Sequence, residues 1–383
     1  MKKKSVSMVN VVLLVVLVAL VAVSAYFTFS VPKKAPVVEQ KPQMVEADFL
    51  GADCAECFNL SIAFDFLNKQ PGMKLAAVRN RTSSESEELA AKYNITRLPA
   101  LVLTGEIENR TIPSFEQVGD ALVFSTAPPP YFDVKEGKVK GIVSVIKLET
   151  SCPTCFNTSI LVDQLRASGV VLGQVQSVRA GTGEGNALVA KYKIEKIPTL
   201  IFNSDALEYE VISQVWPAVG STESDGALVL RVVNPPYVNV STGKEEGLVS
   251  MTYLVDASCN DCLNESTYQE LFEKGFGMRF SEIKSVDVSS ARGKLLVNKY
   301  AIELVPTVVL SNDAKLYPVV DQVWSQAGTQ ENDGSFVFRS VQLIENVVGG
   351  PITYKNLTSN STVDTTKSAL EEPDVSPATP DLS

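Results

Sequence analysis

The sequence predicts an α/β fold in which one module is written three times behind an apolar N-terminal segment. Three observations predict it. Cys54-Ala55-Glu56-Cys57, Cys152-Pro153-Thr154-Cys155 and Cys259-Asn260-Asp261-Cys262 each stand between an apolar run and a helical pattern. A proline opening another apolar run follows each first cysteine after 45, 46 and 47 positions, at Pro99, Pro198 and Pro306. A second helical pattern before each proline ends in Lys-Tyr, at Tyr93, Tyr192 and Tyr300.

Length and composition agree with this. A chain of 383 residues accommodates about two to four domains, so three modules of roughly 100 residues fit. The hydrophobic share of 45% and charged share of 20% are those of globular protein. A net charge of −10 argues against nucleic acid and anionic membrane surfaces as partners, because both require basic patches. The chain contains no histidine, which excludes His general bases, Ser-His-Asp and Cys-His catalysis and His-containing metal sites.

The N-terminus reads Met1-Lys2-Lys3-Lys4 and then runs without charge from Met8 to Phe29. That run is long enough to cross a bilayer once, and the lysines favour a cytoplasmic tip with all that follows outside the cytoplasm. The alternative is a cleaved signal peptide, with Val23-Ser24-Ala25 as the processing site. Both export the modules. Asn59, Asn80, Asn94, Asn109, Asn157, Asn239, Asn264, Asn356 and Asn360 all stand in Asn-x-Ser/Thr. The excess suggests a glycosylated surface, against the alternative that asparagine clusters in polar turns.

The segments follow in order. Residues 1–30 are the basic tip and transmembrane anchor, and 31–43 a proline-rich linker. Module one (44–127) has a strand at 44–50, a helical stripe with Ile62 and Phe66, a strand at 74–78, and a capping box at Ser84-x-x-Glu87. Module two (128–234) has a helix at 160–167, a strand at 170–178, a helix at 187–192 and a strand at 199–202. Module three (235–356) repeats this, its second helix at 294–300. Gln214-Val215-Trp216 and Gln322-Val323-Trp324 look strand-like and precede Asp225-Gly226 and Asp333-Gly334, which signal hairpins. Pro128-Pro129-Pro130 and Pro235-Pro236 mark the module boundaries, and the polar tail at 357–383 reads as disordered. Trp216 and Trp324 are core anchors beneath the hairpins or, alternatively, a peptide-binding rim.

Three CxxC pairs in phase, with Lys-Tyr-x-Ile-x-x-Ile-Pro-Thr around Pro198 and its two siblings, resemble the thioredoxin-like superfamily over residues 44–345. The resemblance implies three tandem thioredoxin-like domains, each a central mixed β-sheet flanked by helices. It implies redox disulfides Cys54-Cys57, Cys152-Cys155 and Cys259-Cys262. Cys54, Cys152 and Cys259 would attack from a helix N-terminus, where backbone N–H groups favour a thiolate, while Cys57, Cys155 and Cys262 resolve. Pro99, Pro198 and Pro306 would be cis, facing the thiols and leaving the preceding residue's backbone to pair with a substrate chain. Asp48, six residues before Cys54, would relay a proton, against the alternative of a strand-edge aspartate in water; Ile146 and Tyr253 hold that place in the other modules. Glu56 and Asp261 put a carboxylate between their cysteines, which disfavours thiolate, so module two is expected to turn over. The sequons Asn59, Asn157 and Asn264, two residues past each resolving cysteine, would either carry a shading glycan or satisfy the start of the next helix.

The function expected is that of a membrane-tethered, extracytoplasmic thiol–disulfide oxidoreductase without cofactor or metal. Its partners would be cysteine-containing secreted or surface proteins and a membrane or extracytoplasmic redox partner. The alternative is a non-catalytic surface protein whose CxxC disulfides are structural. A third reading, a soft metal ion on a CxxC, has two ligands where a closed zinc site needs four.

Overall fold

Each repeat lays down a five-stranded sheet in which one parallel pair continues into an antiparallel meander. The computed structural model describes residues 41–341 and 343–368, so the apolar run at 8–29 and the tail beyond 368 lie outside the described residues. Among the described residues no helix is long and apolar enough to cross a membrane. The chain forms two units. Of the described residues, one holds 41–51, Asn59–Ile95 and Ala100–Ser125; the other holds Ala52–Phe58, Thr96–Pro99 and the chain from Thr126 to Ser368.

In the first unit the strand Gln43–Leu50 pairs in parallel with Met73–Arg81 and antiparallel with Ala100–Gly105. The hairpin of Ala121–Phe124 and Glu116–Val118 completes the sheet. Helix Ser61–Asn68 makes the crossover that a parallel pair requires. Val45, Ala47, Leu101, Leu103 and Leu122 form the core with Leu67 from that helix. Helix Ser83–Lys92 is opened by a capping box of Thr82 and Glu85, two positions before the pair expected from sequence. Thr82 wins because its backbone is extended, as an N-cap requires.

The second unit repeats the topology twice. Val143–Glu149 lies between parallel Leu172–Arg179 and antiparallel Thr199–Phe202, and the hairpin of Gly220–Thr222 with Leu228–Leu230 closes the sheet. Leu248–Val255 lies likewise between Arg279–Asp287 and Thr307–Leu310, with Phe336–Phe338 and Gly328–Gln330 beyond. Every residue of Thr199–Phe202 and Thr307–Leu310 is buried, which is why both read as unbroken apolar runs. This strand order, repeated three times, is the mixed sheet expected of tandem thioredoxin-like modules.

Two expectations about the tryptophans separate here. The segments carrying them are helical, not strand-like: Glu210–Ser213 and Trp216–Val219 in one repeat, Pro318–Ala327 in the other. Val320, Trp324 and Ala327 share one buried helix face, so the apolar residues obey a helical period that a three-residue window hides. Both indoles are core anchors. Trp324 packs against Phe272, Phe336 and Phe338, and Trp216 meets Phe202 edge-on.

Three small sheets were not foreseen. Tyr131–Asp133 and Lys138–Lys140 form a hairpin that pairs back onto Arg97–Leu98. Tyr237–Asn239 and Lys244–Glu246 do the same to Lys196–Ile197, and Thr353–Asn356 with Ser361–Asp364 to Leu304–Val305. Each hairpin turns through a residue of positive φ: Gly137, Gly243 and Asn360. The hairpins at 131–140 and 237–246 therefore pair with strands on the far side of the sequence-derived cuts at 127/128 and 234/235. The tail expected to be disordered from 357 instead supplies the last strand, because Ser361–Asp364 finds ladder partners in Thr353–Asn356.

Candidate functional site

All three cysteine pairs are disulfides, with Cα atoms 5.4 to 5.5 Å apart, and the described residues hold no free cysteine. Their sulfur-bearing residues are half-buried while the residues between them are exposed. The peptide bonds before Pro99, Pro198 and Pro306 are cis.

The cysteines do not sit at helix starts, contrary to expectation. Helices Ser61–Asn68 and Ser159–Ala167 begin four residues after Cys57 and Cys155, and Glu265–Glu270 three after Cys262. The sequon asparagines explain the delay. Asn59 Oδ1 accepts from Ser61 N at 2.9 Å and Asn157 Oδ1 from Ser159 N at 3.0 Å. Asn264 is a true N-cap, accepting from Thr267 N at 3.0 Å. Helix-start donors that would stabilise a thiolate are thus shared with an asparagine further along the chain.

In the second repeat a cavity of about 260 Å³ is lined by Cys152, Cys155, Pro198, Glu149, Phe156 and Thr158 among others. It brings the expected disulfide and proline together. The Cys152 sulfur lies 3.3 Å from Thr154 Oγ1, and Thr154 Oγ1 donates to the carboxylate of Glu245. A hydroxyl has one proton. With that proton on Glu245, Thr154 turns only lone pairs toward the sulfur. Glu245 comes from the hairpin strand Lys244–Glu246, so this repeat too has an acid beside its sulfurs. Sequence reading missed it because 90 residues separate Cys155 from Glu245. Cys152, Cys155 and Glu245 are close enough to share a cation, but while the disulfide is closed only the carboxylate carries charge. Glu149 is held by Lys147 at 3.0 Å.

The same hairpin device recurs at every site. The N–H following the resolving cysteine donates to the hairpin's first carbonyl: Phe58 to Pro130 at 3.1 Å, Phe156 to Pro236 at 2.8 Å, Leu263 to Thr353 at 3.4 Å. The hairpin's first strand then pairs with the residues before the cis proline, as Leu98 with Phe132, Ile197 with Val238 and Val305 with Lys355. Two positions away, Val134 N donates to Thr96 O, Val240 N to Glu195 O and Leu357 N to Glu303 O. Since hydrogen-bonded pairs alternate in an antiparallel ladder, Leu98, Ile197 and Val305 are themselves hydrogen-bonded pairs. The backbone expected to receive a substrate chain is therefore occupied by the protein's own hairpin. Gly141 and Gly247 let the first two hairpins close: with φ near 90°, a Cβ there would meet Pro129 at 2.5 Å and Pro235 at 2.3 Å.

Asp48, Tyr253 and Asp256 are each held by a local partner. Asp48 is buried on a central strand, not at an edge, and its carboxylate is held by Arg81 at 2.7 Å and Arg79 at 3.7 Å. The Tyr253 hydroxyl, in the corresponding place of the third repeat, donates to Leu263 O, and burial pushes it up to about 12. It stays protonated. Asp256, three residues before Cys259, is paired with Lys355 of the hairpin at 2.5 Å. Lys355 and the Ser258 hydroxyl hold its carboxyl down at about 2.

No family model and no curated protein matches this chain. Among solved structures, a domain of alkylhydroperoxide reductase AhpF from Enterococcus faecalis is similar over 43% of this chain and 83% of its own, at 14% identity and a TM-score of 0.16. Full-length ERdj5 is similar over 73% of this chain and 42% of its own, at 13% identity and a TM-score of 0.15. Human ERp44 is similar over 80% of this chain and 93% of its own, at 11% identity and a TM-score of 0.14. The thioredoxin-like topology stands on the chain's own strand order.

Proposed function

We propose that this protein is a thiol–disulfide oxidoreductase, tethered to a membrane and facing away from the cytoplasm, in which Cys152–Cys155 is the working pair. The cavity shared by Cys152, Cys155 and Pro198 carries this reading, because it gives a reactant access to the sulfurs. Cys152, joined to Cys155 and half-buried in its lining, is the attacking sulfur by analogy with the thioredoxin-like proteins, and Cys155 resolves. The uncharged run from Met8 to Phe29 supports the location.

The other two pairs fit the structural reading. At Cys259–Cys262 the half-buried Lys355–Asp256 pair fastens hairpin and loop together. We assign Cys54–Cys57 and Cys259–Cys262 as clips that hold their loops.

The test is exchange at each pair. The full chain is equilibrated with glutathione redox buffers, quenched by alkylation and digested, and the state of each pair is read by mass spectrometry. Cys152–Cys155 should respond within minutes and the other two far more slowly. If Cys152–Cys155 does not exchange over hours, the protein is a structural one throughout.

A further inference from the structure

We infer that the Cys152–Cys155 site takes low-molecular-weight thiols and disulfides, neutral or cationic, and not extended polypeptide; this rests on the redox reading above. Docking of an extended chain beside a disulfide draws its affinity from main-chain hydrogen bonds to a free sheet edge. Beside this disulfide the edge is not free. Ile197 is already paired with Val238, and Phe156 N–H is spent on Pro236 O at 2.8 Å. Val240 N–H extends the same ladder to Glu195 O at 2.8 Å. A polypeptide would have to expel a hairpin that is also bonded through Thr154 and Glu245.

What stays open is the cavity of about 260 Å³, just below the range of roughly 300 Å³ and upward that drug-sized ligands occupy. That volume suits a small molecule carrying one disulfide. Glu149 lines it and Glu245 stands beside the sulfurs, whereas Lys147 is engaged with Glu149. The field thus disfavours carboxylate-bearing disulfides and favours amine-bearing ones.

The reduced pair's Cys152 thiolate attacks one sulfur of the small disulfide, whose S–S bond breaks as a Cys152 mixed disulfide forms. The first small thiolate leaves and takes up a proton. The Cys155 thiolate then attacks the Cys152 sulfur, closing Cys152–Cys155 and releasing the second small thiol. The protein loses two electrons and the small disulfide gains them.

The test uses the full chain reduced by dithiothreitol and freed of it, offered cystamine, oxidised glutathione or insulin. Cystamine should be reduced fastest, oxidised glutathione more slowly, and insulin no faster than without protein. Val238→Pro removes the Val238 N–H from the ladder and should bring insulin reduction above the rate without protein, while leaving cystamine turnover unchanged. Because that variant can fail to fold, Cys155→Ser supplies a second reading: offered both as disulfides at equal concentration, its Cys152 should retain cysteamine from cystamine and should form no adduct with the disulfide-linked dimer of an unstructured cysteine peptide. Equal handling of insulin and cystamine by the natural chain, or equal trapping, overturns this inference alone. Silence toward every disulfide overturns the redox reading and this inference together.

Discussion

Replacing Lys355 by Met isolates the ion pair that ties a hairpin to the third disulfide loop, and its effect can be worked out from the structure. Met preserves the apolar stem and removes the charge. In the folded protein Lys355 Nζ lies 2.5 Å from Asp256 Oδ2, and both side chains are largely buried, 14% and 17% exposed. Asp256 is held at about 2 against an ordinary 3.8, chiefly by Lys355 and then by Ser258. A displacement of that size corresponds to roughly 2 kcal/mol, of which Lys355 supplies about 1 to 2. The folded value lies below the unfolded one, so this stabilisation is present above pH 4 and is lost as pH falls from about 4 through about 2. The assay is amide hydrogen exchange at Leu263 and Val305, the two positions the hairpin covers. At pH 7, Lys355→Met should speed their exchange by about five- to thirty-fold, and near pH 2 the two proteins should exchange alike. A ratio that persists undiminished at pH 2, or is absent at pH 7, refutes the electrostatic account.

Other variants test separate parts of the structure. Trp324 Nε1 donates to Thr329 O at 3.1 Å, whereas buried Trp216 Nε1 has no partner, so Trp324→Phe should cost about 1 kcal/mol more than Trp216→Phe in thermal unfolding. Asn264→Ala should destabilise its helix by about 1 kcal/mol and Asn264→Asp should not, measured by urea titration of protein made without glycans. A Cβ on Gly293 would lie 2.0 Å from Asp287 O, so Gly293→Ala should lower the melting temperature of the third repeat through a cost of about 1 to 3 kcal/mol.

The sequon excess shows how much local structure one residue type can encode. Asn59, Asn157 and Asn264 shape helix starts, and Asn239 and Asn356 accept backbone N–H groups in hairpin turns. Asn94, Asn109 and Asn360 adopt positive φ. Eight of the nine thus have a conformational reason to be asparagine, independent of any glycan.

The sequence alone determined what depends on near neighbours. Apolar runs and period-3.6 patterns placed the sheets' central strands and the two helices beside each CxxC–proline pair, and the CxxC pairing that the resemblance implied is one the chain closes locally. The proline-led apolar runs identified Thr199–Phe202 and Thr307–Leu310 as buried strands. Only the tertiary structure decided what flanks each disulfide. Glu245 reaches Thr154 across 91 residues, and Lys355 reaches Asp256 across 99, through hairpins too short to announce a strand pattern. Those hairpins occupy the edge beside each cis proline, because unpaired N–H and C=O groups there take the nearest ladder partner. Local pattern specifies an element; which edge that element covers depends on the folded chain.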